Sequence, residues 1–208
     1  MRRLTTVGLT GGIATGKSTT LEQWRSLGAA SLDADEYAHR ALTPDTPTWE
    51  EVVRAFGNEI LNSDRTINRP QLGDIVFADD GKREALNRII HPAVDRMWRE
   101  DIERLTREGQ AQVAVVAIPL LYEVGVESRF DCVVTVACSE QTQLSRLAMK
   151  GLNKTRARAR IRAQWPLATK MDRADFVIWN DGLPEVLHQQ AEIIWATIKE
   201  TYHAPSKN

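Results

Sequence analysis

The sequence predicts an α/β, doubly wound fold with a five-stranded parallel sheet covered by helices on both faces. Apolar runs rich in β-branched residues recur along the chain, and such strands are typical of a parallel sheet buried on both sides. Helical patterns lie between these runs, and this alternation indicates an α/β architecture. The predicted strands are Leu4 to Leu9, Ala29 to Leu32, Val113 to Ile118, Val133 to Val136 and Phe176 to Trp179.

The first and last helices are predicted from apolar residues that recur with helical spacing. Leu21, Trp24 and Leu27 share one face of a segment after the first strand, and this helix is expected to stop near Gly28. A second amphipathic pattern follows the last strand. Its apolar positions are Val186, Ile193, Ile194, Trp195 and Ile198.

Two segments depart from the alternation of strands and helices. Residues 35–105 have helical periodicity and no clear strand, so we expect a helical insertion between the second and third strands. Residues 150–173 contain eight basic residues and a single acidic one, Asp172. The alanine, glutamine and leucine among them favour helix.

The four arginines of this basic segment cannot all bind one ligand. On a helix, Arg156 and Arg160 lie on one side, and Arg158 and Arg162 lie on nearly the opposite side. At most one pair would face a triphosphate. The other pair would be solvated or would bind acidic residues.

The composition excludes several classes of protein. The 208 residues include 27 Lys plus Arg and 28 Asp plus Glu, a formal net charge of −1, which argues against a protein that mainly coats nucleic acid or an anionic membrane. No apolar run approaches the roughly 20 residues needed to cross a bilayer. Cys132 and Cys138 lie in one strand-like run, too far apart for a disulfide. We therefore expect reduced thiols, a cytoplasmic protein, and neither nucleic acid nor membrane as a partner.

The most specific motif lies between the first predicted strand and the first predicted helix. Residues 11–18 read GGIATGKS and match G-x-x-x-x-G-K-[ST]. Its glycines let backbone N–H groups approach phosphate oxygens, and the helix N-terminus adds partial positive charge. Lys17 can reach the β- and γ-phosphates, and the Ser18 hydroxyl can bind Mg²⁺. The predicted nucleotide-binding residues are Gly11, Gly12, Ile13, Ala14, Thr15, Gly16, Lys17, Ser18 and Thr19, with Ser18 as the metal ligand.

Other positions narrow the class of phosphate-binding protein. A GTPase would carry Asn-Lys-x-Asp, whereas the segment from Asn153 to Arg156 lacks the final Asp. A mechanical ATPase would end its third strand in an acidic residue, but this strand runs into Pro119. Asp33 instead follows the second strand, at the sheet edge where ligands of α/β proteins bind. It could accept a proton from an attacking hydroxyl or cap the next helix, and Asp35 could be a cap or a substrate contact.

Several short motifs also occur together in one order along the chain. They are LTGGI at 9–13, GKS at 16–18, DAD at 33–35, LGDIVF at 72–77, HP at 91–92, PLLYE at 119–123 and NDG at 180–182. Together they resemble the dephospho-CoA kinase family, from the N-terminus to about residue 200. Each motif alone is weak, whereas the set is highly specific.

The resemblance implies transfer of the ATP γ-phosphate to the 3′-hydroxyl of dephospho-CoA, giving CoA and ADP, with Mg²⁺ as cofactor. It implies a P-loop kinase-like core of residues 1–34, 106–145 and 174–208, a helical acceptor-binding insertion at 35–105, and a basic helical lid at 146–173. The small-molecule partners would be ATP and dephospho-CoA. We expect a monomer rather than a homo-oligomer.

The resemblance also implies roles for single residues. Asp33 would be the general base, Lys17 would stabilise the transferring phosphate, and Arg146 would be the lid arginine. The other implied contacts are Asp33, Arg69 and His91 on the acceptor side, and Asn180 and Gly182 in the loop that holds adenine. Asp35 is a candidate substrate contact from its spacing alone.

The chain differs from the family pattern at two places. The family commonly has glycine where this chain has Ala14, and a methyl group there is compatible only with a negative φ. The family lid usually has Arg-Asp where this chain has Lys150 and Gly151, and lysine lacks the planar fork that binds phosphate bidentately. Two other functions stay open at this point: a kinase for a nucleoside or nucleotide acceptor, and a nucleotide-binding regulator that holds RNA or DNA on its basic face.

Overall fold

The computed structural model describes residues 3–203. Along this part of the chain it contains five β-strands, nine α-helices and two short 3₁₀ turns. The strands are β1 (Thr5–Gly11), β2 (Ala30–Asp33), β3 (Val113–Ala117), β4 (Cys132–Ala137) and β5 (Phe176–Trp179). The helices are α1 (Lys17–Ser26), α2 (Ala34–Ala41), α3 (Pro47–Phe56), α4 (Arg69–Ala78), α5 (Asp80–Glu108), α6 (Glu140–Met149), α7 (Lys154–Arg162), α8 (Leu167–Asp172) and α9 (Pro184–His203).

The five strands form one sheet in the order β2-β3-β1-β4-β5, and every neighbouring pair is parallel. The predicted α/β class and five-stranded parallel sheet are therefore confirmed. β1 is central, and all residues of its neighbours β3 and β4 are buried, as expected for β-branched strands covered on both faces. Because the strands are parallel, their carboxyl ends share one edge of the sheet.

The chain divides into two compact units. One comprises the described residues up to Asp33 together with those from Ile102 onward, and the other is Ala34–Asp101. In the first unit, α1 and α9 pack on the sheet through Trp24 and Trp195, whose ring centroids are 5.8 Å apart. The indole N–H of Trp24 donates to the carbonyl of Ala191 at 2.9 Å, so this buried polar group is satisfied.

The second unit has an apolar core of its own, made by residues of α3, α4 and the chain between them. Its buried members are Trp49, Val52, Phe56, Ile60, Ile67, Leu72 and Val76. Both helices begin with a side-chain cap followed by a proline within the first two positions. Oγ1 of Thr46 accepts from Trp49 N at 3.2 Å, and Oδ1 of Asn68 accepts from Gln71 N at 3.1 Å.

Strand β5 forms an exposed edge of the sheet in the first unit. Trp179, its last residue, is 44% exposed. Its N–H donates to Oε1 of Gln190 at 3.0 Å, and Nε2 of Gln190 donates to its carbonyl at 2.9 Å. A side chain of α9 thus occupies both backbone polar groups at the end of this strand.

The two cysteines are free and buried, and Cys138 lies just beyond β4 rather than within it. Burial raises the pKa of Cys132 to about 12 and that of Cys138 to about 11. Both thiols therefore stay protonated at neutral pH. Among the described residues, we find no helix with the length and apolar character needed to traverse a membrane.

Candidate active site

The glycine-rich motif forms a loop at the carboxyl end of β1, and its last residues begin α1. Gly16 caps this helix with φ 110°, in the region that glycine alone adopts readily. A Cβ added at Gly16 would lie 2.2 Å from Nδ2 of Asn180, and one at Gly11 would lie 2.3 Å from the carbonyl oxygen of Val136. Both glycines are therefore required by close approach as well as by backbone conformation.

Ala14 adopts the left-handed conformation, with φ 62°. The expectation that its methyl group keeps a negative φ is wrong. A residue with a Cβ costs roughly 1–2 kcal/mol in this region. Other contacts must therefore hold the loop in this conformation. They are hydrogen bonds with four side chains, those of Gln143, Arg146, Asn180 and Gln164.

Arg146 and Asn180 bind carbonyl groups of the loop. Nη1 of Arg146 donates to the carbonyls of Ala14 at 3.1 Å and Thr15 at 3.3 Å, and its Nη2 donates to the carbonyl of Asn180 at 3.0 Å. Nδ2 of Asn180 donates to the same Thr15 carbonyl at 2.7 Å. Because the carbonyl and the N–H of one peptide unit point in opposite directions, the bonds to the Thr15 carbonyl turn the N–H of Gly16 away from these side chains. The N–H of Thr15, in the same peptide unit as the Ala14 carbonyl, donates to the carbonyl of Gly12 at 3.4 Å.

Two glutamines that the sequence analysis did not single out bind Ile13. Nε2 of Gln143, on α6, donates to the carbonyl of Ile13 at 2.7 Å, and Ile13 N–H donates to Oε1 of Gln164 at 2.8 Å. The sequence does offer one indication for Gln143: it lies three residues before Arg146, so the two share one face of a helix and can reach the same loop. Nothing in the local sequence marks Gln164.

Lys17 and Ser18 are the first two residues of α1. Lys17 is only 9% exposed, whereas Ser18 and Thr19 are exposed in the first turn. Among the described residues, no cluster of three His, Cys, Asp or Glu side chains could hold a metal ion unaided. The Ser18 hydroxyl is a hard oxygen donor and fits Mg²⁺, which commonly binds few protein groups and completes its shell with phosphate oxygens and water.

Asp33 lies at the same edge of the sheet as the phosphate loop. It pairs in register with Ala117, which pairs with Leu9 of β1. Two strand spacings, about 10 Å, therefore separate its backbone from that of β1. Asp33 and the phosphate loop therefore belong to the same edge of the sheet, with β3 between their strands.

The loop after β5 was predicted to hold adenine through Asn180 and Gly182. Asn180 is 5% exposed, and its side chain binds the phosphate loop as described above. Asp181 is exposed and accepts from the N–H of Ser139 at 2.8 Å, a bond that lowers the pKa of its carboxyl. The side-chain amide of Asn180 is therefore a support for the phosphate loop.

The basic segment is helical as predicted, but its charges do not form one anion-facing cluster. Lys170 is completely buried, and its Nζ lies 2.8 Å from both Oε1 of Glu123 and the carbonyl oxygen of Pro119. Burial lowers the pKa of Lys170, although the carboxylate of Glu123 opposes that shift. Although Lys170 is one of the eight basic residues of this segment, its buried ammonium group is not available to a bound anion.

Two further cations of this segment are paired with acidic residues. Arg173 binds Glu127, and its guanidinium lies 5.3 Å from the ring centroid of Tyr122. Arg158 lies 3.7 Å from Glu140, so it belongs to the arginines of α7 that bind acidic residues. The segment therefore offers fewer cations to a ligand than its composition suggests.

The residues expected on the acceptor side lie in the second unit. Arg69 is exposed at the start of α4, and Asp35 lies in the first turn of α2. His91 is half-buried on α5, and burial lowers the pKa of its imidazole. It lines an open cavity of about 520 Å³ together with Glu84, Asn87, Arg88 and Pro92.

The sheet order, the phosphate loop after the central strand and the acidic residue ending an edge strand define an ATP-dependent kinase of the P-loop class. The fold is shared with a shikimate kinase from Acinetobacter baumannii, at TM-score 0.51 and 14% identity, covering 94% of this chain and 93% of that one. This likeness bears on the fold alone.

The chain belongs to the dephospho-CoA kinase family, whose profile matches residues 5–185. It is 45% identical to a dephospho-CoA kinase from Anaeromyxobacter dehalogenans over 93% of this chain and 92% of the relative. It is also similar to the structure of a dephospho-CoA kinase from Campylobacter jejuni, at TM-score 0.67 and 28% identity, covering 95% of this chain and 97% of that one.

The strained conformation of Ala14 predicts that a substitution by glycine stabilises the protein, whereas such substitutions usually destabilise it. Ala14→Gly should raise the free energy of unfolding by about 0.5–1 kcal/mol, because glycine removes the left-handed penalty but loses more backbone entropy on folding. Ala159→Gly, at an exposed position inside α7, should lower it by about 1 kcal/mol. Urea unfolding measures both. A loss of stability in the Ala14→Gly variant would contradict the strain.

The buried Lys170 and Glu123 pair gives a second prediction. Lys170→Met should destabilise the protein by about 3–5 kcal/mol, because it leaves a carboxylate buried without its cation. Adding Glu123→Gln should recover much of that loss. Arg158→Met, which breaks an exposed pair, should cost less than about 1 kcal/mol. Equal losses from the two single variants, measured by urea unfolding, would show that burial of the pair is unimportant.

Proposed function

We propose that this protein transfers the γ-phosphate of ATP to the 3′-hydroxyl of dephospho-CoA and releases ADP and CoA. The observation that carries the proposal is the phosphate loop, whose carbonyls are bound from behind by Arg146, Asn180 and Gln143. The N–H groups of Ala14 and Gly16, which share peptide units with the bound carbonyls of Ile13 and Thr15, thereby face away from these side chains and would meet an anion at the edge of the sheet that Asp33 shares. Membership of the dephospho-CoA kinase family supports the identity of the acceptor.

ATP would bind with its phosphates in the loop of residues 11–19. Lys17, nearly buried at the start of α1, neutralises charge on the β- and γ-phosphates, and the helix N-terminus adds to this. Mg²⁺ held by Ser18 would supply further neutralisation of the phosphate oxygens when bound. Arg146 contributes mainly by keeping the Ala14 and Thr15 carbonyls turned away from the phosphates.

Asp33 acts as the general base in this proposal. Its position at the end of β2, at the edge of the sheet that also carries the phosphate loop, supports this role. Accepting the hydroxyl proton as the new P–O bond forms avoids a protonated product oxygen.

Arg69, His91 and Asp35 are proposed contacts of the acceptor. The lowered pKa of His91 makes its neutral form the main one at pH 7, so it would serve as a hydrogen-bond donor rather than a cation. Arg69 is exposed and permanently charged, which suits binding of the acceptor's diphosphate. A cytoplasmic location and a monomeric state stay predictions of the sequence.

An acceptor panel tests the proposed substrate. With ATP and Mg²⁺, a coupled assay of ADP release should show turnover with dephospho-CoA at least about 100-fold above that with adenosine or nucleoside monophosphates, because acceptor groups that pair with polar site residues discriminate strongly. Preferred turnover of a nucleoside or nucleotide would overturn the assignment. Salt-sensitive RNA or DNA binding without any turnover would instead favour a regulator.

Replacing the proposed base separates chemistry from binding. Asp33→Asn should lower kcat by roughly 10²- to 10⁴-fold, since the amide cannot accept the proton, while ATP affinity changes little. Steady-state kinetics and ADP titration measure the two quantities. Glu22→Gln, on the exposed face of α1 where Glu22 pairs with Arg25, is the matched control and should retain full activity. An Asp33→Asn variant with wild-type kcat would exclude the general-base role.

A further inference from the structure

Ile13 is the one residue of the phosphate loop whose two backbone polar groups are both bound by side chains in the described structure. Its carbonyl accepts from Nε2 of Gln143 at 2.7 Å, and its N–H donates to Oε1 of Gln164 at 2.8 Å. Gln143 comes from α6, and Gln164 follows α7, within the basic segment of residues 150–173. Two distant parts of the chain therefore meet on one residue of the loop.

These two hydrogen bonds lie next to the strained part of the loop. Ala14, the following residue, has φ 62°. At Gly12, the preceding residue, an added Cβ would lie 2.8 Å from Nε2 of Gln143, so a side chain there would displace that amide. Gln143 is only 2% exposed, so the carbonyl of Ile13 would find no water in its place. The two amide bonds thus fix the peptide planes on either side of Ile13.

We propose that Gln143 and Gln164 are positioning residues for phosphoryl transfer. By holding both polar groups of Ile13, they keep the loop in the strained conformation that presents its remaining N–H groups to the triphosphate. Gln164 also connects the basic segment, just after α7, to the loop, so the positions of the two are coupled. The inference rests on the proposed function of the loop as the ATP site.

The backbone of Ile13 dictates which end of each amide is used. A carbonyl requires a donor and an N–H requires an acceptor, so Gln143 must present nitrogen and Gln164 must present oxygen. A glutamate at position 164 could still accept this bond, whereas an ionised glutamate at position 143 could not donate one. The same substitution should therefore have different effects at the two positions.

The first experiment removes each bond without adding charge. Gln143→Met and Gln164→Met should each raise the KM for ATP and the Kd for ADP about tenfold, since a lost bond of this kind costs about one factor of ten. The KM for dephospho-CoA should stay within about twofold. Gln23→Met is the matched control, because Gln23 makes a similar bond to the carbonyl of His188 away from the loop, and its nucleotide affinity should be unchanged.

The second experiment uses variants that add the same charge beside the same residue. ADP titration should give a Kd at least about tenfold weaker for Gln143→Glu than for Gln164→Glu, since only the latter keeps its hydrogen bond. The comparison cancels most of the repulsion between carboxylate and phosphate. It also applies if one methionine variant is too unstable to purify.

Two results would overturn the inference. One is a lowered melting temperature in the methionine variants with unchanged ADP affinity and ATP KM, which is the signature of a merely structural role. The other is an equal ADP affinity of the two glutamate variants. Neither result depends on the acceptor, because ADP binding is measured alone. A failure of the acceptor panel would therefore be distinguishable from a failure of this proposal.

Discussion

The structure of the site depends on one constraint: the carbonyls of the phosphate loop are bound from behind by side chains. Bonds from Gln143, Arg146 and Asn180 account for the carbonyls of residues 13–15, and the hydroxyl of Thr15 donates to the carbonyl of Gly12 at 2.9 Å. Without these donors, a loop with Ala14 in the left-handed region would relax to a conformation of lower energy. The order of strands makes the arrangement possible, since β4 and β5 lie on one side of β1 and deliver α6 and the 180–182 loop to it.

The buried pair of Lys170 and Glu123 has a comparable role for the basic segment. Glu123 accepts from Lys170 and also from the N–H of Trp165 at 2.8 Å, so the carboxylate joins the chain after β3 to the end of this segment. Such a pair contributes little net stability compared with apolar residues of the same size, but it is specific about its partner. The pair therefore determines where the basic segment contacts the core, through Trp165 and Lys170. Arg156 and Arg160 lie earlier in the segment, on α7.

The sequence was sufficient for the features that depend on local patterns. Runs of apolar residues, most of them rich in β-branched side chains, predicted all five strands, and GGIATGKS between a strand and a helix predicted the phosphate loop. It failed where a residue's role depends on distant contacts. The negative φ expected of Ala14 assumed an unsupported loop, and Lys170 was grouped with its basic neighbours because its burial against Glu123 involves residues 47 positions away. The roles of Asn180 and of the two glutamines have the same origin, since only the folded chain brings them beneath the loop.

The bond between Gln190 and Trp179 has a consequence for the protein in concentrated solution. An edge strand with unpaired N–H and carbonyl groups is a template on which a second chain can add a strand, and natural sheets commonly protect such edges. At the end of β5, the amide of Gln190 takes the two positions that an added strand would use. The exposed tryptophan at this edge is therefore accompanied by a backbone that is closed to strand addition, which guards the sheet against growth from one molecule into the next.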